Sequence, residues 1–230
     1  PALIFFVLIN SILIYLFSFE PLLSVRTGIS SLFGLSNLYM LRQSTNYFAQ
    51  STYYNVFTHT WSLGVEEQFY ILFPFFIWFT GFGRQTSKGS RNLFLLIFLL
   101  LVSSLISFVL LYSRNQAAAY FLMPTRFWEI ATGCIAFLVA SRKGLLINRK
   151  NNVLPTLIIL AIVIVFFLPI SISVISTISV VILSAILITF LKEGTKLFNI
   201  LTNEKVVHIG LISYSLYLWH WSVLSISRWT

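Results

Sequence analysis

Apolar residues fill this chain in runs of about twenty, separated by short polar segments. Seven runs, approximately 1–19, 61–80, 92–112, 123–141, 153–169, 171–191 and 206–226, have about the length an α-helix needs to cross the hydrocarbon of a bilayer. The pattern predicts an all-α fold, a polytopic transmembrane helix bundle of about seven spanning helices. A shorter run, about 28–41, carries Gly28, Gly34 and Asn37 and predicts one further re-entrant or interfacial helix. Pro169 predicts a tight turn between the fifth and sixth spans. No repeat, low-complexity tract or long linker interrupts the pattern, so residues 1–230 read as a single membrane domain. The first apolar run has no basic flank and no small-residue cleavage site, so it does not read as a signal peptide.

Composition strengthens this reading. Of 230 residues, 58% are hydrophobic and only 9% charged, where soluble domains carry roughly 25% charged residues. That leaves too little polar surface to cover a globule in water. The net charge of +9 does not point to nucleic acid, because the cations sit in short loops and form no stripe. Segments 81–91 (Arg84, Lys88, Arg91), 142–152 (Arg142, Lys143, Arg149, Lys150) and 192–205 (Lys192, Lys196, Lys205) hold ten of the fifteen basic residues, all six lysines among them. These are alternate loops, so the positive-inside bias places them in the cytoplasm and places 43–60, 113–122 and the Pro169 turn outside. The lone cysteine, Cys134, lies in an apolar run and reads as a small buried residue.

Ionisable groups within membrane helices are costly and mark function by default. Glu66 and Glu67 follow Trp61 by five and six residues, roughly 8–9 Å into their helix. Arg126 and Glu129 are three apart and share a face on which they can pair. His220 lies near the far end of the last run, and His59 just precedes Trp61. The loop charges put the five helical groups in the outer half of the membrane and His59 at the outer surface, all at similar depth, which is the strongest sign of a site. Each also has a structural reading. Arg126 and Glu129 can be a helix-locking ion pair, His220 a hydrogen-bonded interior histidine, and the aromatics of 214–221 an interfacial belt. His208, near the cytoplasmic end, reads as structural. There is no phosphate loop, no Gly-x-Ser-x-Gly elbow, no zinc spacing and no Asp anywhere, so no metal site is expected.

Three segments carry a family resemblance. The run His59-Thr60-Trp61-Ser62-Leu63-Gly64-Val65-Glu66-Glu67-Gln68-Phe69-Tyr70 is similar to the signature of the acyltransferase-3 family, bacterial membrane enzymes that O-acetylate lipopolysaccharide O-antigen, peptidoglycan, exopolysaccharides and some small molecules. Met123-Pro124-Thr125-Arg126-Phe127-Trp128-Glu129, followed by Gly133, resembles the family's Pro-x-Arg-x-Trp-Glu segment. Ile212-Ser213-Tyr214-Ser215-Leu216-Tyr217-Leu218-Trp219-His220-Trp221 resembles its late Ser-Tyr-Ser-Leu-Tyr-Leu-Trp-His segment, and Ser36-Asn37-Leu38-Tyr39 fits the stretch before the first motif.

The resemblance implies a multi-pass protein of the bacterial inner membrane that moves an acyl group, acetyl foremost, from an acyl-CoA co-substrate in the cytoplasm to a hydroxyl of a surface glycan. Its partners are then membrane lipid and a glycan or glycolipid acceptor, with no bound cofactor. It implies catalytic positions at His59, Glu66, Glu67, Arg126, Glu129 and His220, and substrate contacts at Trp61, Trp128, Tyr214 and Tyr217. It also implies that this stretch is internal, lacking two earlier helices, which carry an arginine and the leading histidine base, and one closing helix; alone it is expected to be inactive. A proton-coupled transporter or flippase, or a non-catalytic remnant, are the alternatives.

Overall fold

The computed structural model describes residues 1–18, 21–44, 54–143 and 153–229, with the side chains of Arg142 and Lys143 left aside. Arg149 and Lys150 of the expected cytoplasmic loop, and much of 43–60, lie outside the described residues. Among the described residues there are eleven α-helices and no strand. They are α1 (Ala2–Phe17), α2 (Pro21–Leu32), α3 (Ser36–Ser44), α4 (Trp61–Thr80), α5 (Ser87–Arg114), α6 (Gln116–Phe121), α7 (Met123–Lys143), α8 (Val153–Phe166), α9 (Ser173–Phe190), α10 (Lys196–Leu201) and α11 (Glu204–Ile226).

Every expected span is a helix. Four stretches, Ser87–Arg114, Gln116–Ser141, Ile170–Phe190 and Glu204–Ile226, are long and apolar enough to cross a membrane by length and composition. Helices α1 and α8 are apolar but shorter. Helix α4 has 20 residues and carries Glu66, Glu67 and Gln68 within its apolar run. Pro169 does form the turn between α8 and α9: it is extended and leads into a single 3-10 turn at Ile170–Ile172.

Three segments differ from expectation. The run 28–41 is two helices, because Gly34 adopts φ +66 and ends α2. The Leu35 N–H donates to the Ser30 carbonyl at 2.9 Å and the Gly34 N–H to the Ser31 carbonyl at 3.3 Å, the hydrogen-bond pair of a helix closed by a left-handed glycine. The expected loop 113–122 contains α6, whose first turn is capped by the Asn115 side chain accepting from the Ala118 N–H. Likewise 192–205 contains α10, capped by Thr195.

The chain divides into two compact units. The first comprises 1–75, 110–126 and 210–230. Its core joins Phe6, Val7 and Ile14 of α1 to Val56 and Phe57 and to Leu218 of α11, with the Phe6 ring edge-on to Phe57 at 5.6 Å and to Trp219 at 5.4 Å. The second comprises 76–109 and 127–209. There α5 and α7 meet where the Trp128 N–H donates to Ser104 Oγ at 3.0 Å, and α8 packs antiparallel on α9 across the Pro169 turn.

Residues 54–60 enter α4 without regular helix, and such backbone needs partners for its carbonyls in an apolar setting. Helix α11 supplies them. Trp221 Nε1 donates to the Asn55 carbonyl at 3.0 Å, Ser222 Oγ to Val56 at 3.4 Å, and Tyr217 Oη to His59 at 2.5 Å. Trp229 Nε1, just past the helix, reaches the Tyr54 carbonyl at 3.4 Å, and Ser36 of α3 donates to Thr60 at 2.7 Å.

Candidate functional site

The first unit gathers most of the polar side chains singled out from the sequence. His59 sits in the 3-10 turn Thr58–Thr60, 7% exposed. Its ring lies edge-on to Phe6 (5.8 Å), Tyr217 (5.3 Å) and His220 (5.4 Å). Neither ring nitrogen makes a hydrogen bond of normal geometry among the described residues. Burial first, and repulsion from His220 second, lower its pKa from 6.5 to about 4, against a weak opposing pull from the nearby Leu218 backbone. His59 is therefore a neutral imidazole at ordinary pH.

His220 is exposed, and its Nδ1 lies 2.6 Å from the Tyr217 carbonyl oxygen. A carbonyl only accepts, so in the neutral ring Nδ1 carries the hydrogen and Nε2 keeps its lone pair. The Tyr217 hydroxyl has one hydrogen, given to the His59 carbonyl, so Ser62 Oγ, 2.5 Å away, donates to it. This chain links the end of α11 to the first turn of α4.

On the same turn Trp61 packs against Tyr120 of α6, ring centroids 4.4 Å apart. The Arg126 guanidinium lies over both rings, 5.5 Å from Trp61 and 5.3 Å from Tyr120, a stacking that holds a planar cation in place. Glu66 is exposed and Glu67 half-buried. Both are within electrostatic reach of Tyr214, and Glu66 also of Tyr217. Glu67 is seated on Gly34: a Cβ there would stand 2.7 Å from Oε2.

The support beneath these groups is polar. Gln68 Nε2 donates to the Gly34 carbonyl (2.8 Å) and to Asn37 Oδ1 (2.9 Å), and Asn37 Nδ2 donates to the Phe121 carbonyl (3.0 Å). Gly64 lets α4 lie directly on this corner, since a Cβ would meet Asn37 Oδ1 at 3.0 Å and Ser36 Oγ at 3.1 Å. Among the described residues no cluster of three His, Cys, Asp or Glu is placed to hold a metal ion.

The family model described as an acyltransferase domain matches residues 2–228. The chain belongs to the acyltransferase-3 family. Among curated proteins it is 29% identical over 246 residues to YrhL of Bacillus subtilis (strain 168), named as a candidate peptidoglycan O-acetyltransferase, covering 99% of this chain and 38% of YrhL. It is 27% identical over 247 residues to the O-acetyltransferase OatA of Staphylococcus aureus (strain NCTC 8325 / PS 47), covering 97% of this chain and 39% of OatA. The chain thus spans well under half the length of these relatives. No solved structure matches it.

Residues from each of the three family motifs share the first unit. His59, Trp61, Glu66, Glu67, Arg126, Tyr214, Tyr217 and His220 all fall in the first unit. Glu129, three residues after Arg126 on the same helix, falls in the second unit and is half-buried. Trp128, also in the second unit, is 2% exposed and packs on Phe108 at 5.8 Å. The acyltransferase-3 motifs named Ser62, Asn37 and Gln68, but the sequence reading gave them no role. Sequence gives Tyr120 no role either, and its only signal is an aromatic six residues before an arginine.

Proposed function

We propose that this protein, in its complete membrane form, transfers an acetyl group from an acyl-CoA-type thioester to a hydroxyl of a cell-surface glycan. Membership of the acyltransferase-3 family supports acyl transfer, and the printed names of YrhL and OatA support O-acetylation, with peptidoglycan the acceptor class named for YrhL. The bacterial inner membrane is the compartment this reading requires.

The observation that carries the reading is the placing of a proton-accepting nitrogen and an aromatic-mounted cation in one unit: His220 Nε2 on one side of the Tyr217–Ser62 link and Arg126 over Trp61 on the other. Acyl transfer needs a base for the acceptor hydroxyl and a stabiliser for the oxyanion. The acceptor oxygen bonds to the thioester carbonyl carbon and its proton passes to His220 Nε2. Arg126 faces the negative oxygen of the tetrahedral intermediate. The C–S bond then breaks, and the departing thiolate takes the proton from the imidazolium, giving an O-acetyl ester and a free thiol. Of this chain's other groups, Glu66 and Glu67 stand within electrostatic reach of Tyr214.

The test is glycan acetylation in cells lacking their own enzyme, read as alkali-labile acetate on purified wall or surface polysaccharide. Single replacements Glu66→Gln, Glu67→Gln, Arg126→Gln, Glu129→Gln and His220→Asn should each lower it. Wild-type acetylation by all five would overturn the assignment.

A further inference from the structure

At the end of α4 opposite Trp61, the chain makes a tight corner. Gly81 and Gln85 both adopt left-handed φ, +69 and +51. The base of α5 closes onto this corner with no room to spare: a Cβ on Gly89 would stand 2.5 Å from the Gly81 carbonyl oxygen and 3.1 Å from the Phe82 Cα. These are contacts of backbone on backbone, so the corner is preformed. Beside it lies a cavity of about 300 Å³ lined by Ile77, Trp78, Phe79, Thr80, Gly81, Gly83 and Arg84.

The lining is divided by chemistry. Trp78 and Phe79 are 80% and 78% exposed, an apolar wall at the end of a membrane helix, where an indole favours the headgroup boundary. The Thr80 hydroxyl is occupied by the Phe76 carbonyl at 2.7 Å. Arg84 is the charged group of the lining, and Lys88 and Arg91 follow in the first turns of α5. Residues 76–109 contain no Asp or Glu. The loop charges put this corner on the cytoplasmic side, where anionic lipids lie and basic pockets between helices hold their headgroups.

From this we infer that the α4–α5 corner is a binding site for the phosphate headgroup of an anionic phospholipid, with Arg84 on the phosphate and Trp78 and Phe79 beside the glycerol and upper acyl chains. A coenzyme A phosphate shares the anionic chemistry, but it has no use for an apolar wall open to lipid.

The experiment is thermal unfolding of the detergent-purified protein with added phosphatidylglycerol or phosphatidylcholine, paired with native mass spectrometry to count retained lipids. At about ten times its Kd, phosphatidylglycerol should raise the melting temperature by roughly 3–5 °C, and phosphatidylcholine should not. Arg84→Gln and Gly89→Ala should each remove the difference and one retained lipid, and Lys196→Gln, a lysine of α10, should keep both. Equal shifts with the two lipids, an unchanged Arg84→Gln response, or an equal loss in Lys196→Gln would each overturn the site. Displacement of the retained phosphatidylglycerol by free coenzyme A would overturn it in favour of the donor.

Discussion

His220 holds its Nδ1 2.6 Å from the carbonyl oxygen of Tyr217, one turn earlier on the same helix. The contact fixes the tautomer and leaves Nε2 as the proton acceptor. Asparagine places an amide nitrogen near Nδ1 but has nothing at Nε2. His220→Asn should therefore keep the melting temperature within about a degree while lowering kcat by about 10²–10⁴-fold, the range for loss of a general base. Activity within threefold of wild type would place the base on another residue.

His59 makes stability depend on pH. Above pH 6.5 its ring is neutral both folded and unfolded and contributes no slope. Between 6.5 and about 4 the unfolded chain binds the proton and the folded chain does not, so stability falls as the pH falls. The loss approaches about 3 kcal/mol and levels off below about pH 4. His59→Phe, whose ring suits the contacts with Phe6 and Tyr217, should lack this part of the slope in melting curves taken from pH 7 to pH 4. Parallel curves for the two proteins would count against the buried neutral ring.

The helices were legible because they follow from run length. Loop charge alone groups Glu66, Arg126 and His220, and all three fall in the first unit. The hydrogen-bond partners were not legible. Tyr217 and Trp221, four residues apart on one helix face, suit a headgroup belt as well as they suit donation to the 54–60 backbone, and nothing local distinguishes the two. Asn37, Gln68 and the Phe121 carbonyl are brought together only by the tertiary fold. Nor does a sequence say which way Trp128 points: expected as a substrate contact, it is buried against Phe108.

Gly34→Ala should be the most damaging small change near α4. The left-handed backbone costs a non-glycine residue about 1–2 kcal/mol, and the added methyl meets Glu67 Oε2. Acetylation should fall with the melting temperature, because Glu67 and Gln68 both rest on this corner. Ser30→Ala, at a half-buried position on the same helix, should be tolerated. Equal behaviour of the two positions would contradict the account of the corner.

Arg126→Lys keeps the charge and loses the flat guanidinium that lies over Trp61 and Tyr120. A drop in kcat/KM of at least about tenfold is expected from the loss of stacking and of a two-pronged hydrogen-bond edge. Trp61→Phe, which preserves a ring face, should fall by about threefold or less. The pair is read in the same glycan acetylation assay, and full activity of the lysine variant would mean that charge alone suffices.

The carbonyls of Tyr54, Asn55, Val56 and His59 are each held by a side chain of α11 or the residues just after it. Rungs spaced along a helix act as a ruler. A slip of α11 by one residue, ~1.5 Å along its axis, would leave all four short at once, so intermediate positions are not available to it. The turn bearing His59 and the helix bearing His220 therefore travel together or not at all.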